Sequence, residues 1–212
     1  MLEIQDYLKI LIGIFAILNP LGALPLYLSL TQNYSASERR HTAASAAKAA
    51  TIILLITLFF GEVILSFFGI SVNSFRVGGG ILILLMSISM LYAQTSNAKN
   101  TDAEREEAEH RKSVAVVPLA MPMLAGPGAI SSIILYANRS DGWQHYAIMS
   151  AELVFIGLVL WALMRLADKI SARLGQTGMN IITRVMGLIL AAIAVEFISA
   201  GLKGIFPLLA RG

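Results

Sequence analysis

Asn19-Pro-Leu-Gly-Ala-Leu-Pro25 and Pro122-Met-Leu-Ala-Gly-Pro-Gly128 each set two prolines five residues apart with a glycine between them, deep inside long apolar runs. Proline removes a backbone donor and clashes with the carbonyl four residues earlier, and glycine admits conformations that other residues resist. Pro20, Gly22 and Pro25 are therefore expected to break one apolar helix, and Pro118, Pro122, Gly126, Pro127 and Gly128 another. Working outward, the apolar runs number six, at about 8–31, 43–69, 74–94, 114–137, 145–168 and 185–208, each long enough to cross a hydrocarbon core of about 30 Å. No run alternates polar and apolar residues at period two, so a barrel is excluded and helices remain.

The composition agrees. Of 212 residues 57% are apolar and only 14% charged, with 17 glycines besides, and the mean hydropathy is +0.73. A soluble domain carries about 25% charge and about 45–50% apolar residues with glycine included. A cytosolic enzyme, a disordered chain and a nucleic-acid binder are thereby set aside. The net charge of +3 does not alter this, because the basic residues do not cluster on a soluble face. Cysteine is absent, which removes disulfides, thiolate nucleophiles and Cys-based zinc sites.

The chain reads as one transmembrane domain: a first unit of residues 1–94, a polar linker over 95–113 and a second unit over 114–212. The first apolar run lacks a basic leader and a cleavage site and reads as retained. Lysine and arginine orient it. Eleven lie in or beside the loops after spans 1, 3 and 5, against five on the other side, which predicts those loops in the cytoplasm and both termini outside. A multi-pass protein of a bacterial-type inner membrane is expected. Glu106 and His110, four apart in the linker, have the spacing to pinch a metal, but the segment reads as a solvated connector, and neither metal nor cofactor is expected.

The two units resemble each other. Arg76-Val-Gly-Gly-Gly-Ile-Leu and Arg184-Val-Met-Gly-Leu-Ile-Leu coincide at an offset of 108, and the proline clusters align at 102 or at 107. Three helices per unit is odd, so the second unit enters the membrane upside down, as inverted repeats of secondary transporters do. Pro20 lies roughly 18 Å into span 1 and Pro127 roughly 20 Å into span 4 from the opposite face, at 1.5 Å per residue. Both breaks thus fall near the midplane. Second half-helices beginning around Ala23 and Ala129 would offer N–H groups and a positive dipole end to a carboxylate, while the carbonyl ends of the first halves suit an ammonium group. A molecule carrying both charges close together is a zwitterionic amino acid. Asn19 adds an amide to this candidate site, and Ser131 and Ser132 add hydroxyls.

Glu196 sits roughly 18 Å into span 6 and is the candidate for proton or cation coupling, with Glu62 of span 2 the weaker one. Glu152 and Lys48 read as close to span ends, and Arg76 as a helix-end anchor. His41, His110 and His145 fall in or beside loops, and neither HExxH nor GxSxG occurs, so no enzyme is expected. Ala43–Ala50 and Gly78–Gly80 permit close helix approach. Trp143 is placed at the outer interface and Trp161 deeper.

With these residues in view, the chain resembles the MarC family of multi-pass membrane proteins, which includes small neutral amino acid transporters. Asn19-Pro20, Gly22 and Pro25 match its first-helix signature and Ala125-Gly-Pro-Gly128 its fourth, and the similarity covers essentially the whole chain. The resemblance implies an all-α fold of six helices in two inverted triplets, with helices 1 and 4 discontinuous. It also implies a glycine- or alanine-like substrate, which the reading of the helix breaks places at Asn19, Pro20, Gly22, Pro25, Ala125, Gly126, Pro127, Gly128, Ala129 and Ser131. The function expected is alternating-access transport with the lipid bilayer, the amino acid, a proton or sodium gradient and copies of the chain as partners. A channel for small polar solutes and a non-transporting scaffold are the alternatives.

Overall fold

In the computed structural model, which describes residues 2–92, 124–140 and 142–210, all regular structure among those residues is helical. The helices are α1 (Ile4–Leu18), α2 (Pro20–Leu30), α3 (Ala36–Phe67), α4 (Val72–Leu91), α5 (Pro127–Ala137), α6 (Trp143–Arg165) and α7 (Ala167–Ile205), followed by a 3-10 turn at Pro207–Ala210. By length and composition five stretches are fit to cross a membrane: Ile4–Pro25, Ala36–Phe67, Val72–Leu91, Trp143–Arg165 and Thr177–Ile205. Of the fourth run only the second part, α5, is described. The linker, with Glu106 and His110, and Pro118 and Pro122 lie outside the described residues.

Several boundaries depart from the hydropathy reading. The helix expected from residue 43 starts at Ala36, because Ser35 and Glu38 form a capping box in which each satisfies the other's backbone N–H. Its first two turns, with Glu38, Arg39, Arg40 and His41, are polar and escape a search for apolar runs. The connector expected at Lys169–Arg184 is helical, and the polar stretch joins α7. Only Gly175 interrupts it, with φ 62° and ψ 178°, a backbone that glycine adopts without steric cost.

The helices pack as antiparallel pairs. Glycines along α4 and α7 meet the partner backbone directly: a side-chain carbon at Gly80 would lie 3.0 Å from the Ala194 carbonyl oxygen, and one at Gly201 2.9 Å from that of Asn73. Gly187 meets the Ser87 carbonyl at 3.1 Å in the same way. Where lipid tails replace water, such close backbone approach supplies much of helix association. Helices α3 and α6 also run antiparallel, with Thr51 against Gly157 and the rings of Phe59 and Tyr146 stacked 5.8 Å apart. Helix α1 runs antiparallel to α5, with Gly13 beside Tyr136 and Ile17 beside Gly128.

The buried core collects α1, α2, one face each of α3 and α6 and nearly all of α5, including Ile10, Ile14, Leu24, Ala43, Ala46, Ala50, Ile133 and Met149. The small side chains of α3 are what admit α5 and α6 this closely. The outward faces stay apolar, with Phe59, Phe60, Val63, Leu85, Phe155, Leu158 and Leu188 exposed, the inverse of a soluble surface. Trp143 is 77% exposed at the start of α6, as expected of an interfacial ring. Trp161 is partly buried against the core and carries the Arg165 guanidinium 5.4 Å over its ring.

Candidate functional site

Span 1 is broken at one residue. Asn19 has φ 46° and ψ 60°, the only non-glycine positive φ among the described residues. Asparagine enters the left-handed region more readily than other side chains. Its N–H closes α1 onto the Phe15 and Ala16 carbonyls at 3.1 and 3.2 Å. Its Oδ1 accepts the Gly22 N–H at 3.2 Å and its Nδ2 donates to the Met90 sulfur at 3.4 Å. One buried side chain thus ends one helix, caps the next and ties both to α4. Gly22 is needed for this, since a side-chain carbon there would collide with the Asn19 amide.

The second half-helices start earlier than expected in span 1 and close to expectation in span 4. Helix α2 opens at Pro20 rather than Ala23, and α5 opens at Pro127, with Ala129 in its first turn. Both are 11 residues long with proline at the first position, where the missing N–H is no loss. The matching positions, Pro20 with Pro127, stand 107 apart, and the starts of α3 and α6 keep that spacing. Pro25 lies inside α2 and does not end it.

The two helix starts differ in one respect. Asn19 caps α2, whereas Gly126, the residue before α5, supplies no side-chain acceptor. Ile130 N–H is served by the Gly126 carbonyl at 3.0 Å, and helix geometry leaves the N–H groups of Gly128 and Ala129 directed out of the first turn. On the other side of the break the carbonyls of Ile17 and Leu18 close the last turn of α1.

Helix α4 brings the two motifs together. Met90 reaches Asn19, while Ile83 and Gly79 lie against α5: a side-chain carbon at Gly128 would stand 2.8 Å from Ile83 Cγ1 and 3.6 Å from Ile17 Cγ2, and one at Gly79 2.5 Å from Ser131 Oγ. Leu124, Ala125, Ala129, Ser131 and Ser132 are buried, and Ser132 donates back to the Gly128 carbonyl at 2.7 Å. The last turn of α1, at Ile17, thus approaches the first turn of α5, at Gly128, while Asn19 is reached by Met90 seven residues further along α4 than Ile83. A shallow groove edged by Phe59, Trp143, Tyr146 and Ala147 lies elsewhere, at the ends of α3 and α6.

The acidic candidates are placed differently. Glu196 and Glu62 are exposed on α7 and α3. Glu152, read from the sequence as near a span end, stands nine residues into α6, about 13.5 Å from Trp143 at 1.5 Å per residue and so near mid-span. Its Oε2 is buried without a hydrogen-bond partner among the described residues.

His145 is also a structural surprise. It stands beside a loop as expected, the third residue of α6, but it is buried, 1% exposed. Its Nδ1 lies 3.0 Å from Tyr7 Oη and its Nε2 3.0 Å from the Tyr136 carbonyl oxygen. A carbonyl only accepts, so Nε2 carries the proton and Nδ1 accepts from Tyr7. At the opposite end Arg39 donates to the Thr31 and Gln32 carbonyls and pairs with Asp168 at 2.7 Å.

The sequence matches the family described as MarC family integral membrane protein over residues 4–206. It is 43% identical to the UPF0056 membrane protein YhcE of Escherichia coli (strain K12) over 95% of this chain and 94% of that one. It is 38% identical to the UPF0056 membrane protein YvbG of Bacillus subtilis (strain 168), covering 94% and 95% of the two chains. A UPF0056 membrane protein of the archaeon Methanocaldococcus jannaschii is 40% identical over 96% of this chain and 98% of its own. No solved structure matches.

Proposed function

Since the chain belongs to the MarC family of integral membrane proteins, with a transport-related function in the membrane, we propose that it is a secondary transporter of small neutral amino acids working by alternating access. The observation that carries the reading is the meeting of the two helix breaks. Uncapped N–H groups of Gly128 and Ala129 at the start of α5 lie beside the last turn of α1 with its Ile17 and Leu18 carbonyls. A helix N-terminus attracts a carboxylate and a helix C-terminus an ammonium group, so the pair suits a zwitterion. Ile17, Ile83, Ala125, Gly128 and Ala129 leave little room for a side chain, which favours glycine, alanine and serine.

The transport cycle rests on an inverted repeat of residues 1–94 and 114–212. Its support is the pairing of α1 with α5, α3 with α6 and α4 with α7, each antiparallel, and the equal helices opening at Pro20 and Pro127. An axis in the membrane plane relates units in this way. Rocking of one unit on the other would then expose the site to each side in turn. The protein would lie in the bacterial inner membrane with both termini outside, and it would transport its substrate without altering it.

The test is counterflow in sealed proteoliposomes loaded with unlabelled alanine. Saturable entry of labelled glycine, alanine or serine is expected, and entry of none of them, by folded and inserted protein, would overturn the substrate class. Steady ion conductance in a planar bilayer would favour a channel instead.

A further inference from the structure

We propose that Glu152 is a proton-binding site in the middle of the membrane and the residue that couples transport to a proton gradient. This deepens the transport reading and rests on it. Glu152 is near mid-span on α6, and its Oε2 is buried with no hydrogen-bond partner among the described residues. A carboxylate so placed costs several kcal/mol unless it is paired, wetted or protonated. Among the described residues its surroundings offer no fixed counter-charge. The register set by Thr51 against Gly157 and Phe59 beside Tyr146 puts Glu152 level with Leu54 and Leu55 of α3.

The other titratable groups on the neighbouring helices are engaged or remote. On α1, Asp6 and Lys9 pair with each other at 3.2 Å, and Tyr7 is bonded to His145. Helix α2 has no charged residue, and its Tyr27 donates to the Arg39 carbonyl at 2.8 Å. On α3, Glu38, Arg39, Arg40 and His41 stand at the far end, while Lys48 and Glu62 are exposed. Helix α5 contributes only Tyr136, which lies under the Arg139 guanidinium. On α7, Asp168 is held by Arg39, and Lys169, Arg173, Arg184, Glu196 and Lys203 are exposed. Among the described residues none forms an ion pair with Glu152.

A group without a resident counter-ion changes charge with access to water. When the site opens to one side, the Glu152 carboxylate takes a proton from water and an O–H bond forms. When it opens to the other, that bond breaks and the proton returns to water. No electron moves, and with a neutral zwitterion as cargo each cycle carries one positive charge. His145 lies seven residues earlier, on the same face of α6, about 10.5 Å toward the end where α1 begins.

The experiment uses full-length protein in proteoliposomes containing a pH-sensitive dye, with alanine as the probe. Glu152→Gln should keep alanine counterflow within about twofold of the native protein, since exchange needs no net proton movement. It should lose at least tenfold in accumulation driven by a pH gradient and in alanine-driven internal acidification, and Glu152→Asp should recover part of both. Glu196→Gln should behave as the native protein. Undiminished gradient-driven accumulation in Glu152→Gln would overturn the proposal, and so would loss of counterflow and accumulation together in folded variant protein. Absence of counterflow in the native protein would instead defeat the transport reading. In that case, or if the variant does not fold, carbodiimide labelling of the native protein decides. Modification of Glu152 that fades between pH 6 and pH 9 supports proton binding, and its absence at every pH overturns it.

Discussion

The Tyr7 hydroxyl donates to Nδ1 of His145 over 3.0 Å, across 138 positions of sequence. With the Nε2–H bond to the Tyr136 carbonyl, this one imidazole joins the start of α1, the end of α5 and the start of α6. The end of the molecule where α1 begins is thus closed by a buried polar network. At the other end Arg39 joins α2, α3 and α7. Each half of the broken first span has its own latch, so the break at Asn19 lies between two separately anchored pieces.

Tyr7→Phe should lower the stability of the detergent-purified protein by about 1–3 kcal/mol, because it leaves a buried acceptor on His145 unpaired. His145→Phe in the Tyr7→Phe background should cost less than the two single changes added together, since the partners are removed as a pair. Thermal unfolding of the four proteins checks this, and strict additivity would show that the bond contributes nothing.

At Asn19 the backbone and side-chain contributions separate. Asn19→Ala loses the cap on Gly22 and places an ordinary side chain at φ 46°, at costs of about 0.5–2 kcal/mol for the cap and about 1–2 kcal/mol for the left-handed conformation. Asn19→Gly escapes the second cost. Glycine should therefore be the milder substitution in a melting series, against the usual ranking inside a helix, and the reverse order would mean that the break is not held in this conformation.

Two glycines two positions apart should respond oppositely. Gly78 faces open space, whereas a side-chain carbon at Gly80 would meet the Ala194 carbonyl oxygen at 3.0 Å and the Ile198 nitrogen at 3.1 Å. Backbone atoms cannot rotate aside. Gly80→Leu should push α4 from α7 and abolish stable insertion, while Gly78→Leu should leave expression and melting nearly unchanged. Size-exclusion profiles of the two variants read the difference.

Asp168→Asn should cost less than about 1 kcal/mol, because the aspartate is 66% exposed and water screens the pair. Arg39→Ala should cost more, since it also strips donors from the Thr31 and Gln32 carbonyls that end α2. Equal effects in thermal unfolding would show that the ion pair, not the capping of α2, is what Arg39 contributes.

Much of the architecture was legible because the bilayer imposes a length and an apolar surface, and both appear directly in composition. Hydropathy follows the hydrocarbon region only. It therefore missed the polar turns of α3 at 36–42 and of α7 before Arg184, although the Ser35–Glu38 capping box was visible as a sequence pattern. The breaks were legible from proline and glycine, and placing proline at the first helical position would have put the start of α2 at Pro20. The burial of His145 and of the Glu152 Oε2 was not legible. Their burial depends on which face of α6 packs against α1 and α3, and the hydrophobicity of a helix apolar all round does not reveal that face.

The central claim is that the two helix breaks form one amino acid site, and equilibrium binding of labelled alanine to the purified protein tests it most directly. One saturable site per chain, displaced by unlabelled glycine or serine and lost in folded Gly128→Leu, is the predicted result, because leucine would press against Ile83 and Ile17 in front of the α5 N-terminus. Binding unchanged in Gly128→Leu, or no binding to folded native protein, would contradict it.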